Sequence, residues 1–173
     1  MKTIRFFCTL AMLSVFSTQA QDKSNDTTAR YFIIQASIGN LQEIQIAKLA
    51  LQRSTNSEVK SFANQMIADH GKAQAQLMQL VRTRNFQIPK EAMDTPVDDM
   101  MLKNLPAKDF DRIYVHMMVP DHRQTVQRFE KYALTGKDPD VKSFAKQTLP
   151  TLKEHLNAIT TIDDSMKNAT AAK

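Results

Sequence analysis

Four side chains of metal-ligating type sit at positions where a helical core should be apolar: Glu43, His70, His122 and His155. Val59, Ala63, Met66, His70, Ala73, Leu77 and Leu80 follow a four-three alternation, the seam of a helix packed in a bundle, and His70 stands on it. A second seam, Val115, Val119, His122, Val126, Phe129 and Ala133, carries His122 between valines. A third, Val141, Ala145, Thr148, Leu152, His155, Ile159 and Ile162, carries His155. Near the N-terminus, Ile33, Ala36, Asn40, Glu43, Ala47 and Ala50 form one inward stripe beside another of Leu41, Ile44 and Leu51. His116 falls on a polar face with Arg123 and Gln127 and is set aside.

Neutral imidazoles and a carboxylate suit Zn, Fe, Mn or Cu. Asp69 and Asp121 stand next to two of the histidines, where a carboxylate can orient a ligating ring from behind. The cofactor is left open; one candidate is a transition-metal ion held by Glu43, His70, His122 and His155, and the metal-free alternative stands level with it. The competing expectation is a metal-free polar layer, with Asn40, Glu43 and the histidines bonded to one another to fix helix register. A lone core histidine is ordinarily a hydrogen-bonded structural residue, and it is the occurrence on four separate seams that favours a site. Met117-Met118 beside His116, and Met100-Met101, invite a copper reading, but such methionines more often fill cores adaptably.

Other chemistry is poorly served. The single cysteine, Cys8, precedes the mature chain as read below, which removes thiolate catalysis and cysteine-based metal sites. No serine nucleophile arrangement, phosphate loop or suitably spaced carboxylate pair is recognisable, so enzymatic activity is the least favoured class and no catalytic residue is assigned. The net charge is +5, but signs alternate along the chain without a basic stripe, so nucleic acid is not an expected partner.

The elements that must position these residues are helices. Glycine is scarce, with 3 in the chain, and alternating strand patterns are absent. Four long helices are expected at about 29–53, 57–84, 110–134 and 139–163, with a short one near 97–104. Thr55 with Glu58 reads as a capping box for the second, Asp109 as the cap of the third, and Gly136 as a left-handed stop. Asp138 should cap the fourth helix, with Pro139 at its first position, where a missing N–H costs nothing.

Val-Lys-Ser-Phe-Ala occurs at 59–63 and again at 141–145, followed by Gln65 and Gln147. Laying one occurrence on the other maps the first helical hairpin onto the second. Two related amphipathic hairpins bury their stripes against each other as a four-helix bundle. Heights then constrain the topology. At about 1.5 Å per residue, turns at the same end would separate Glu43 from His155 by roughly 11 Å along the axis. Turns at opposite ends, with the connection 85–109 running the length of the bundle, bring the four to about one level. Each helix also carries a breaker near that level: Gly39, Gly71, Pro120 and Pro150.

Gly39-Asn40-Leu41-Gln42-Glu43, Met66-Ile67-Ala68-Asp69-His70, Asp109-Phe110-Asp111 with Asp121-His122, and Leu149-Pro150-Thr151-Leu152-Lys153-Glu154-His155 together resemble a bacterial family. It is the family of exported ferritin-like proteins of unknown function often labelled predicted outer membrane proteins. The resemblance covers nearly the whole chain after the leader. It implies a ferritin-like bundle and an envelope location, and it implies no activity. The di-iron pattern of ferritin-like sites is not met, because both Glu-x-x-His pairs are missing.

The first twenty residues read as a secretory signal: Lys2 and Arg5, an apolar run from Phe6 to Phe16, then Thr18-Gln19-Ala20 before cleavage. The run is too short to anchor, since a spanning helix needs roughly 20 apolar residues. The expected organisation is a signal at 1–20, a disordered segment at 21–28, the all-α ferritin-like bundle at 29–165, and a frayed end at 166–173. The expected location is periplasm or cell envelope, with no transmembrane segment after signal removal. Protein partners and oligomeric state are unspecified. The alternative function is a cofactor-free structural or stress-related interaction module of the envelope.

Overall fold

The computed structural model describes residues 27–90 and 100–171. The expected signal, most of the segment 21–28, and residues 91–99 of the connection lie outside the described residues. Among the described residues five helices occur: α1 (Thr27–Arg53), α2 (Ser57–Thr83), the short α3 (Met100–Asn104), α4 (Ala107–Thr135) and α5 (Pro139–Ala171). The last helix runs beyond the bound expected for it, and α4 starts a turn earlier than Phe110.

Three helix ends differ from the expected caps. Asn56, not Thr55, caps α2: its Oδ1 accepts from the Glu58 and Val59 amides at 2.8 and 3.3 Å. Ser54 Oγ accepts from the Asn56 amide at 3.1 Å, and that turn places Asn56 in the extended conformation a cap requires. Asp109 lies inside the first turn of α4, whose N-cap is Pro106 without a side-chain bond. Gly136 has φ −58° and ψ 138°, so its role is not left-handed backbone. A Cβ there would stand 2.5 Å from the Tyr132 ring and 2.6 Å from the Tyr132 carbonyl oxygen, so the residue is glycine for close approach. The expected cap of α5 is present: Asp138 Oδ1 accepts from the Asp140 and Val141 amides, each at 3.0 Å.

α1 pairs with α2 and α4 with α5 as antiparallel hairpins; α2 packs on α5, and α1 meets α4 less closely. Ala29, Phe32 and Ile33 from the start of α1 share a cluster with Leu77, Phe129, Tyr132 and Val141. Ala47 and Ala50 from its far end share another with Val59, Phe110, Tyr114 and Ile162. The two hairpin turns therefore sit at opposite ends, and the described ends of the connection, Phe86 and Leu102, lie in opposite clusters, giving the ferritin-like crossover. Phe32 anchors the first cluster, stacked on Tyr132 at 4.2 Å between ring centroids and edge-on to Phe129 at 5.0 Å.

An arginine clamps each end. Beyond α2, the buried Arg84 guanidinium donates through Nε and Nη2 to Asp138 at 2.9 and 2.5 Å, and to Asp140 at 3.2 Å. Burial alone would push the Asp138 carboxyl up, but the Arg84 bond and the two amides hold it below the ordinary value. At the other end Arg53 donates to the carbonyls of Leu102, Lys103 and Leu105 and lies over the Phe110 ring. It thereby ties the crossover to the end of α1.

Candidate metal centre

Between the two apolar clusters lies a polar layer that the seams deliver from all four long helices. Asn40, Glu43, His70, His122 and His155 are all buried, with His122 and His155 each 1% exposed. The inward line of α4 shifts beside Pro120: Met118 is buried while Val119 is only half-buried, and the seam resumes at His122. A proline lacks the donor that holds the preceding turn and displaces it.

The three imidazoles cluster together, His122 edge-on to each of the other two and His70 tilted 34° to His155. Ring centroids are 5.3 Å apart for His70 and His155, 5.9 Å for His122 and His155, and 6.3 Å for His70 and His122. One donor atom of each lies within 4.8 Å of one from each of the others. Phe62, one level along α2, covers His122 and His155 at 5.8 and 6.2 Å between centroids.

Each ring is oriented from behind by a separate acceptor. His70 Nδ1 donates to Asn40 Oδ1 at 2.8 Å, with Asn40 Nδ2 itself 3.5 Å from Gln74 Oε1. His122 Nδ1 donates to the Met118 carbonyl at 2.9 Å, and His155 Nε2 to Asp69 Oδ2 at 2.9 Å. Because each bond takes the one N–H of a neutral ring, the lone pair falls on the opposite nitrogen. Those nitrogens, His70 Nε2, His122 Nε2 and His155 Nδ1, are buried without a protein hydrogen-bond partner. Three buried acceptors in one layer are each costly to leave unmet. Anchoring of the remote N–H is the usual support of a ligating histidine. Burial, with the neighbouring imidazoles adding to it, lowers His70 to about 3. Burial likewise lowers His122 to about 4, against the opposing pull of the Met118 carbonyl. Both rings are therefore neutral at physiological pH, the form that binds metals.

Of the four residues expected from the sequence, the structure brings the three histidines together and sets Glu43 on another side. Glu43 Oε1 lies 3.9 Å from His122 Nδ1, the nitrogen that faces the Met118 carbonyl, and its Oε2 is buried without a partner. Glu43, Asp121 and His122 form a second group of potential ligand atoms within 4.8 Å of one another. Burial, then the neighbouring Asp121, holds the Glu43 carboxyl well above the ordinary carboxylate range. Both causes weaken if a cation sits between the two carboxylates. Asp69 does act behind a histidine as expected, but behind His155 across the α2–α5 interface, not behind its sequence neighbour His70. The bond between His70 and Asn40 is of the kind the polar-layer expectation named.

A cleft of about 670 Å³ opens along the loose α1–α4 seam. Glu43, Asp121, His70, His122 and Met118 line it together with Gly39, whose missing side chain leaves that wall open. No helix among the described residues is long and apolar enough to cross a membrane.

A family model described as a domain of unknown function, DUF4142, matches residues 14–162. No curated protein matches the chain. Among solved structures the fold is similar to the DUF305 fragment from Deinococcus radiodurans, with TM-score 0.69, 17% identity, and coverage of 80% of this chain and 97% of that one. It is also similar to CopM in its Cu(II)-bound form, with TM-score 0.68, 16% identity and the same coverage. At such identities the likeness is one of fold.

Proposed function

This chain belongs to the DUF4142 family, and from that premise we propose that it is an exported, non-catalytic metal-handling bundle. Its central layer holds one transition-metal ion through His70, His122 and His155. The observation that carries the reading is three clustered histidines, each with one buried ring nitrogen unpartnered while its other nitrogen is anchored. A purely structural polar layer would turn those nitrogens to partners. It has the bonds to Asn40 and Asp69 in its favour, but it leaves three buried acceptors unmet.

Three imidazoles suit copper or zinc better than a hard oxygen-seeking ion, and CopM, a protein of similar fold, is known in a Cu(II)-bound form. Met117 and Met118 line the same cleft and add soft sulfur close by. Nothing in the layer supplies a second carboxylate-histidine pair for oxygen activation, so binding, as in storage, sensing or protection, is the role this centre fits. Calorimetric titration with Cu(II) and Zn(II) tests it. One ion should bind per chain, with affinity lost in His70→Ala and in His122→Ala while helicity by circular dichroism is retained. Equal affinity in wild type and both variants would remove the proposal. Export rests on the leader at 1–20 and is tested separately below.

A further inference from the structure

Resting on that reading, we propose that Glu43 and Asp121, with His122 behind them, form a separate cation-binding station at the mouth of the α1–α4 cleft, through which a hydrated divalent ion is delivered to the three histidines. Three observations support it. The cleft is lined by both carboxylates and by His70 and His122, so one opening serves both groups. The residues grade inward from the exposed Asp121, to Glu43 at 8% exposed, to His122 at 1%. Glu43 Oε2 is buried in that wall with no partner, and the Glu43 and Asp121 carboxyl groups offer oxygens within 4.8 Å of one another.

The physics favours a relay over direct entry. A dication strips its water reluctantly, and imidazoles offer no negative charge to compensate. Carboxyl oxygens at the entrance replace the first waters, the Glu43 carboxyl giving up the proton that burial and Asp121 favour as the cation arrives. The histidines then take the ion on grounds of donor softness, for which nitrogen outranks carboxylate oxygen with copper or zinc. Arg128, also on the lining, is the counter-charge on this wall. The station is transient because its exposed member stays in water, where ion pairing is weak.

Co(II) is a suitable probe, because its visible absorption reports entry into a nitrogen site and its loading can be followed by stopped flow. Loading of Asp121→Asn should slow about tenfold with release slowed to match, leaving the dissociation constant at the histidines within about twofold. The wild-type rate should fall as ionic strength rises, and the variant's dependence should flatten. Glu43→Gln should slow loading likewise. A wild-type loading rate in Asp121→Asn overturns the station. So does loss of equilibrium binding in Glu43→Gln, which would make Glu43 a ligand of the same ion. Wild-type protein that takes up no Co(II), Cu(II) or Zn(II) overturns the histidine site itself, a result distinct from either.

Discussion

An imidazole offers a cation whichever nitrogen its own N–H leaves bare, so the partner behind each ring decides what the centre can hold. Asn40 fixes that choice for His70, the Met118 carbonyl for His122 and Asp69 for His155. Asn40→Ala and Asp69→Ala should therefore each weaken metal affinity by about 10–100-fold without unfolding the bundle, measured by competition with a chelating dye. The same burial sets the acid response of the metal-free protein. His70 and His122 sit at about 3 and about 4 in the fold, against an ordinary 6.5. The unfolded chain takes up protons below about pH 6.5 that these folded rings refuse, so their contribution is complete above that pH and is lost as pH falls toward about 4. Glu43 has the opposite sign. Its raised carboxyl keeps a proton in the fold above the ordinary 4.5, a contribution lost as pH rises through the folded value. Two rings outweigh one carboxyl, so urea stability should fall between about pH 6.5 and 5, and Glu43→Gln should steepen the fall. Stability flat across that window in both proteins would contradict the burial argument.

At the scale of elements, stability concentrates where helix ends meet. Asp138 caps α5 and also neutralises a buried arginine, so Asp138→Ala should cost about 3–5 kcal/mol in denaturant unfolding, because Arg84 is left uncompensated. Asn56→Ala removes only a cap and should cost about 1 kcal/mol. The Asp138-Pro139 start was legible because both residues point to one position. The start of α2 was not, because Thr55 and Asn56 are adjacent capping types and the bond from the Asn56 amide to Ser54 Oγ decides between them. Gly136 was legible as a helix stop but not for its reason, which is a tyrosine ring four residues back that sequence spacing does not locate. The seams of α2 and α5 read almost residue for residue, whereas in α4 Met118 and Val119 both lie at helical spacing from Val115 and His122, and it is Met118 that is buried.

Across the whole molecule, the repeat and the height arithmetic carried the topology: only turns at opposite ends bring Glu43 and His155 level, and that is the arrangement observed. Axial height says nothing of azimuth, however. It placed Glu43 in the layer but could not say that the carboxylate would lie toward His122 Nδ1 and the cleft, away from the other rings. The leader makes a prediction at this scale too. Protein recovered from the envelope fraction of expressing cells should begin at Gln21 by intact mass, and a mass that retains residues 1–20 would remove the export proposal. The central claim is that the buried histidine trio exists to hold an ion. Its most direct test is elemental analysis of untagged protein as purified, with thermal melting before and after chelation. The account predicts close to one copper or zinc per chain and a melting temperature that drops on chelation and recovers on re-addition. Metal-free protein whose melt is unmoved by chelator, Cu(II) or Zn(II) would contradict it.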